Sequence, residues 1–121
     1  MVKEDEQRNR VVAEAKTWLK TPYVSNAMVK GPRGGVDCAM ILVSIYAELG
    51  IIPKEFDPRP YPPLWHVHRD QERYLDFVKS FTKEISGPPK PGDIVLFKIA
   101  RLFAHGAIVI DWPLVIHARA P

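Results

Sequence analysis

Apolar residues recur at helical spacing near the start of the chain. Val11, Val12, Ala15, Trp18 and Leu19 form one stripe, which predicts an amphipathic helix over Gln7 to Lys20. Thr21-Pro22 ends it, because a residue before proline avoids the helical region. Tyr23 to Val36, with Gly31, Gly34 and Gly35, reads as a loop. Asp37 to Gly50 is apolar on most sides, with Asp37 placed to cap its start and Gly50 its end, so a covered central helix is expected there. Tyr74, Phe77, Val78 and Phe81 predict a further amphipathic helix over Arg69 to Phe81, and Gly87 to Gly92 a turn. The pattern then shortens to strands at Asp93 to Lys98, His105 to Ile110 and Leu114 to Ala118. The Asp111-Trp112-Pro113 link between the last two suits a hairpin. Helices first and strands afterwards predict an α+β fold with an antiparallel sheet.

Length keeps this to one domain spanning 1–121. Five of the 12 prolines fall between Pro53 and Pro63, and three more in Pro88-Pro89-Lys90-Pro91. These are extended connections rather than domain linkers, because each remaining piece is too small to fold alone. Hydrophobic residues at 46% and charged residues at 26% exclude a disordered chain, a coiled coil and a collagen-like repeat. The longest apolar stretch, Ala39 to Ala47, is interrupted by Ser44 and is too short to span a membrane. The opening MVKEDEQRNR lacks an apolar core, so no secretory signal peptide is expected. The net charge of +3 is scattered, without the basic run of a nucleic-acid groove. A single cysteine excludes an internal disulfide.

That cysteine, Cys38, falls at the first turn of the central helix, directly after a glycine-containing loop. Most cysteines are buried structural thiols. A helix start, however, offers unpaired N–H groups and the positive end of the dipole, both of which favour a thiolate and lower its pKa. The same N–H groups are placed to hold an oxyanion. A thiolate nucleophile needs a proton acceptor. His105 opens one expected strand and His117 closes the next, so a hairpin brings them side by side. His105 then faces Cys38 as base, and His117 orients its ring.

Thr21-Pro22-Tyr23, Gly34-Gly35-Val36-Asp37-Cys38 leading into an apolar helix, Pro91-Gly92-Asp93-Ile94-Val95-Leu96-Phe97, Ala104-His105-Gly106-Ala107-Ile108-Val109-Ile110 and Val115-Ile116-His117-Ala118 follow one another along the chain. Each is common by chance, but five in this order resemble the NlpC/P60 cysteine peptidases, from the first helix to His117. The proline-rich middle and Trp65-His66-Val67-His68-Arg69 look most like small members found in phage and prophage tail modules. The resemblance implies a papain-like fold and hydrolysis of amide bonds in peptidoglycan stem peptides, typically between γ-D-glutamate and a diamino acid. Cys38 matches the nucleophile, His105 the general base, His117 the third polar residue and Tyr23 a tyrosine whose hydroxyl points into the site. Asp37 matches the aspartate before the nucleophile, where capping the helix is its preferred role. The family usually has Ser-Gly after the cysteine. Here Ala39-Met40 follow, and the bulk of Met40 is expected to alter packing or the substrate groove. Family domains usually continue into further strands beyond the point matching Pro121, which implies a minimal or shortened member.

Trp65 and Tyr61 are expected along the substrate cleft and Trp18 in the core. Arg33, in the loop before Cys38, is a candidate partner for a stem-peptide carboxylate. The peptidase reading needs no cofactor and no metal. Its partners are the stem peptide and phage tail proteins, with no nucleic acid and no membrane span. Without a signal peptide, delivery to the wall by a phage particle or by lysis is expected. Three alternatives stay open. One is a tail structural component with the same fold and little activity. Another is a zinc protein using His66 and His68 with Cys38. The third is acyl transfer in place of hydrolysis, since an amine can resolve the same thioester.

Overall fold

The computed structural model describes residues 3–60, 73–99 and 102–118. Helix α1 (Glu4–Lys16) opens the chain. It starts earlier than the apolar stripe predicts, because Glu4, Asp5 and Glu6 complement the positive end of its dipole and Gln7 N–H closes a turn onto Lys3 O at 3.0 Å. It also ends earlier. The N–H groups of Thr17, Trp18 and Leu19 bond to carbonyls three residues back, a tightened turn, and Lys20 adopts φ +71°. Val11, Ala15 and Trp18 stay buried, while the tightened turn carries Leu19 off the stripe to 57% exposure.

Tyr23 to Val36 is not the irregular loop expected. Strands β1 (Met28–Val29) and β2 (Gly35–Val36) pair antiparallel, and Tyr23 lies beside Val36 as a parallel bridge. Val24 N–H donates to Val36 O at 3.1 Å, and Val36 N–H to Pro22 O at 3.0 Å. These bonds satisfy a backbone that would otherwise enter the core unpaired.

Helix α2 (Met40–Glu48) follows. Its first hydrogen-bonded turn begins at Asp37, whose carbonyl accepts from Ile41 N–H at 3.0 Å. Gly50 at φ +74° closes it. Gly50 N–H bonds to Ala47 O at 3.0 Å and Ile51 N–H to Tyr46 O at 2.9 Å, the paired bonds of a Schellman end. Met40, Ile41, Leu42, Val43 and Ile45 are buried, as a covered central helix requires. Helix α3 (Arg73–Lys79) supplies Tyr74 and Val78 to the same core. The expected start of that helix at Arg69 lies outside the described residues.

Strands β3 (Ile94–Ile99), β4 (Leu102–Asp111) and β5 (Leu114–Ile116) form an antiparallel sheet in the order β3-β4-β5. The architecture is therefore α+β, with short helices and a small antiparallel sheet. Ala107, Ile108 and Val109 are all buried, so both faces of the middle strand are covered. The turn leading into β3 is pinned from two helices. Arg8 Nη1 pairs with Asp93 Oδ1 at 2.7 Å and donates to Pro91 O at 3.0 Å, while the Tyr46 hydroxyl donates to Gly92 O at 2.7 Å. No helix among the described residues is long and apolar enough to cross a membrane.

Candidate active site

Asp37 organises the start of α2. Its Oδ1 accepts from the N–H groups of Ala39 at 3.1 Å and Met40 at 2.9 Å, which is the N-cap role read from the sequence. Its Oδ2 accepts from Asn26 N–H at 2.6 Å and so holds the preceding loop against the helix. Asn26 takes φ +61°, and its carbonyl accepts from Arg59 Nη1 at 3.2 Å. Arg59 is clamped in turn by both carboxylate oxygens of Asp57, at 2.8 and 2.7 Å. Asp37 is 1% exposed, so the carboxylate is satisfied inside the protein rather than by solvent.

Cys38 is 3% exposed at this helix start. The sequence expectation of a lowered thiol pKa does not hold in the resting protein. Burial, and secondarily the neighbouring Asp37 charge, push the Cys38 thiol up to about 12. Hydrogen bonds from the Tyr74 side chain and from the backbone of Cys38 itself pull the other way without prevailing. The oxyanion expectation also narrows. Asp37 takes the Ala39 and Met40 N–H groups, so those two donors are already engaged at the helix start.

Tyr23 is brought beside Cys38 by its bridge to Val36. Burial, with the charges of Cys38 and Asp37, pushes its hydroxyl up to about 12. Met40 is fully buried, so its bulk is spent on core packing. Arg33 is exposed in the turn between β1 and β2. Trp65 and Tyr61 of the expected cleft, and His66 and His68 of the zinc alternative, lie outside the described residues. Among the described residues, no group of three or more His, Cys, Asp or Glu is placed to hold a metal.

His105 lies inside β4 rather than at its start, and His117 directly follows β5. Ile108 pairs with Ile116, and Val109 with Val115. Extending that register sets His117 opposite Ala107, diagonal to His105 on the same strand face. The two rings meet edge to face, with centroids 5.0 Å apart and His105 Nε2 2.7 Å from His117 Nδ1. Phe97, paired with His105 across β3 and β4, places its ring 6.2 Å away.

The residue that sequence reasoning missed at this site is Tyr74. It is 1% exposed, and its hydroxyl donates to the Cys38 carbonyl at 2.6 Å. A Cβ built on Gly106 would come within 2.7 Å of the same hydroxyl. Those two contacts and one C–C bond bring Gly106 Cα within about 7 Å of the Cys38 carbonyl, with His105 next along the chain. The available signal was a tyrosine on an apolar helical stripe, since a buried hydroxyl needs a partner. A cavity of about 620 Å³ between α2, α3 and β3 is lined by Leu42, Val43, Tyr46, Phe77 and Val78 among others, but by none of Cys38, His105 or His117. No family model matches the chain, and no curated protein or solved structure matches it either.

Proposed function

We propose that the chain is a papain-like cysteine peptidase of the NlpC/P60 kind, cutting amide bonds in peptidoglycan stem peptides of the γ-D-glutamyl-diamino acid type. The observation that carries this reading is the 2.7 Å bond between His105 and His117, beside the glycine that packs on the tyrosine holding Cys38. In the tautomer where His105 Nε2–H donates to His117 Nδ1, the lone pair of His105 is on Nδ1, the form required of a base. Because the resting thiol is protonated, attack is coupled to proton transfer. Cys38 Sγ bonds to the scissile carbonyl carbon as its proton passes to His105. The Cys38 N–H donates to the oxyanion. His105 returns the proton to the leaving amine, and water then resolves the thioester with His105 again as base. His117 keeps the ring oriented and stabilises its charged form. Phage tail proteins are the proposed partners, and the phage particle or lysis the proposed route to the wall.

Digestion of purified sacculi, followed by mass spectrometry of the released fragments, tests this. Wild type is expected to release cleaved stem peptides. Cys38→Ala and His105→Ala should each lose at least about a thousandfold in rate, because nucleophile and base act as one unit. His117→Ala should lose less, and His117→Asn should recover part of the loss. Equal cleavage by wild type and Cys38→Ala overturns the proposal. One observation favours the rival reading of a tail component with little activity, namely the burial of Cys38 and its raised thiol pKa. Intact sacculi after incubation with wild type would decide for that rival.

A further inference from the structure

The peptidase reading uses Cys38 and the histidine pair but leaves a buried phenol unused. Tyr74 comes from α3, an element that supplies neither the nucleophile nor the base. Its hydroxyl has one proton, which the Cys38 carbonyl accepts at 2.6 Å. It is fully enclosed, and Gly106 leaves just enough room for it beside β4. A tyrosine serving only as core would bury its ring and send the hydroxyl to any nearby carbonyl. This one reaches the backbone of the nucleophile itself, in the turn whose other N–H groups Asp37 has taken.

We propose that Tyr74 is a positioning residue for Cys38, holding the nucleophile's carbonyl while the sulfur is protonated and sharing its proton with the sulfur once that atom is an anion. This deepens the peptidase reading and rests on it for its catalytic meaning, although the effect on the thiol is measurable without substrate. The donor sits on the carbonyl of the same residue that carries the sulfur, and the Tyr74 side chain works to lower the thiol's pKa against the opposing burial. No covalent bond changes in this step. The phenol proton moves between two acceptors as charge develops on one of them, so the donor is preorganised for the charged state.

The test is the rate at which iodoacetamide alkylates Cys38 across alkaline pH, where the chain's one cysteine makes the signal unambiguous. Tyr74→Phe keeps the ring and removes the donor. It should slow alkylation severalfold at each pH below the thiol's inflection, the loss of thiolate being about tenfold and partly offset by a more nucleophilic sulfur. Fluorotyrosine at position 74 is the stronger donor while it stays protonated, so at the lowest pH values of the series, before that phenol ionises, alkylation should accelerate. A purely structural hydroxyl would not drive the two variants in opposite directions. In that pH range, rates equal to wild type, or shifted the same way in both variants, overturn the proposal. Should Tyr74→Phe fail to fold, the fluorotyrosine protein decides alone in the same range, faster alkylation supporting the proposal and an unchanged or slower rate overturning it. A wild-type thiol that does not label at any pH overturns it as well. Sacculus digestion run in parallel reads the peptidase proposal separately. Cleavage with no Tyr74 effect on labelling leaves that proposal standing and removes this one.

Discussion

Asp37 does three jobs with two oxygens, and the substitutions that separate them differ in outcome. Asp37→Ala strips acceptors from Ala39, Met40 and Asn26 and should cost about 2 kcal/mol, read as a lower urea midpoint. Asp37→Asn keeps one oxygen for the helix N–H groups but turns an amide toward Asn26 N–H, so a smaller loss of about 1 kcal/mol is expected. The same change removes the negative charge that raises the Cys38 thiol, so its alkylation at a fixed alkaline pH should speed up. A variant less stable yet more reactive than wild type is the expected signature, and slower alkylation would contradict it. The capping role was legible in the sequence, since an aspartate before an apolar run is a helix-start signal. The raised thiol was not. A helix start argues for a low pKa, and only the depth of Cys38 in the core and the direction of the Asp37 charge reverse that.

Elements meet at this site through close approach. Gly106 faces the Tyr74 hydroxyl and ring, with a further contact to Leu96. Tyr74 is enclosed and has no slack to retreat, so Gly106→Ala should cost about 1–3 kcal/mol in a denaturant titration. It should also displace the donor from the Cys38 carbonyl, and near-normal stability would show that α3 has more freedom than its burial implies. All three sheet strands were legible from alternation and runs of β-branched residues, and the hairpin from its short proline-containing link. Element ends were less legible, because they depend on bonds that no apolar pattern records. Glu4 to Glu6 extend α1 by electrostatics, and Thr17 to Leu19 shorten it by tightening. Strands β1 and β2, two residues each, are too short for alternation to register, and their pairing satisfies the backbone that leads into Cys38.

Among the described residues, three groups have their ionisation suppressed by loss of solvent, Cys38 fully enclosed and Tyr23 and Tyr46 half-buried. The Cys38 thiol is raised from 9.0 to about 12 and the Tyr23 hydroxyl from 10.0 to about 12, while burial also raises Tyr46. For each, the unfolded chain releases its proton first as pH rises. The stability they contribute is complete below their unfolded values and is lost between about pH 9 and 12. Urea midpoints should therefore fall steadily across that alkaline range, and Cys38→Ala should flatten the early part of the fall. Equal slopes for the two proteins would mean that Cys38 titrates alike folded and unfolded. The α+β class was legible because helical periodicity stops and alternation begins after Gly92. The convergence of α3, β4 and the start of α2 on one carbonyl was not, because it joins residues far apart in the chain through a single phenol.

Asp111 pairs directly with Leu114, so two residues, Trp112 and Pro113, make the whole connection between β4 and β5. Exposed connections usually tolerate changes of length. Here a register shift between Val109 and Asp111 separates the tip from the pairs Val109–Val115 and Ile108–Ile116, and tip and shift together set the relative offset of two imidazoles; a strand displaced by one position presents the opposite set of side chains. The residue count of this tip thus acts as a gauge for the contact between His105 and His117. An insertion here that displaces β5 by one position should turn His117 to the other face and part the two rings while the outline of the sheet stays the same.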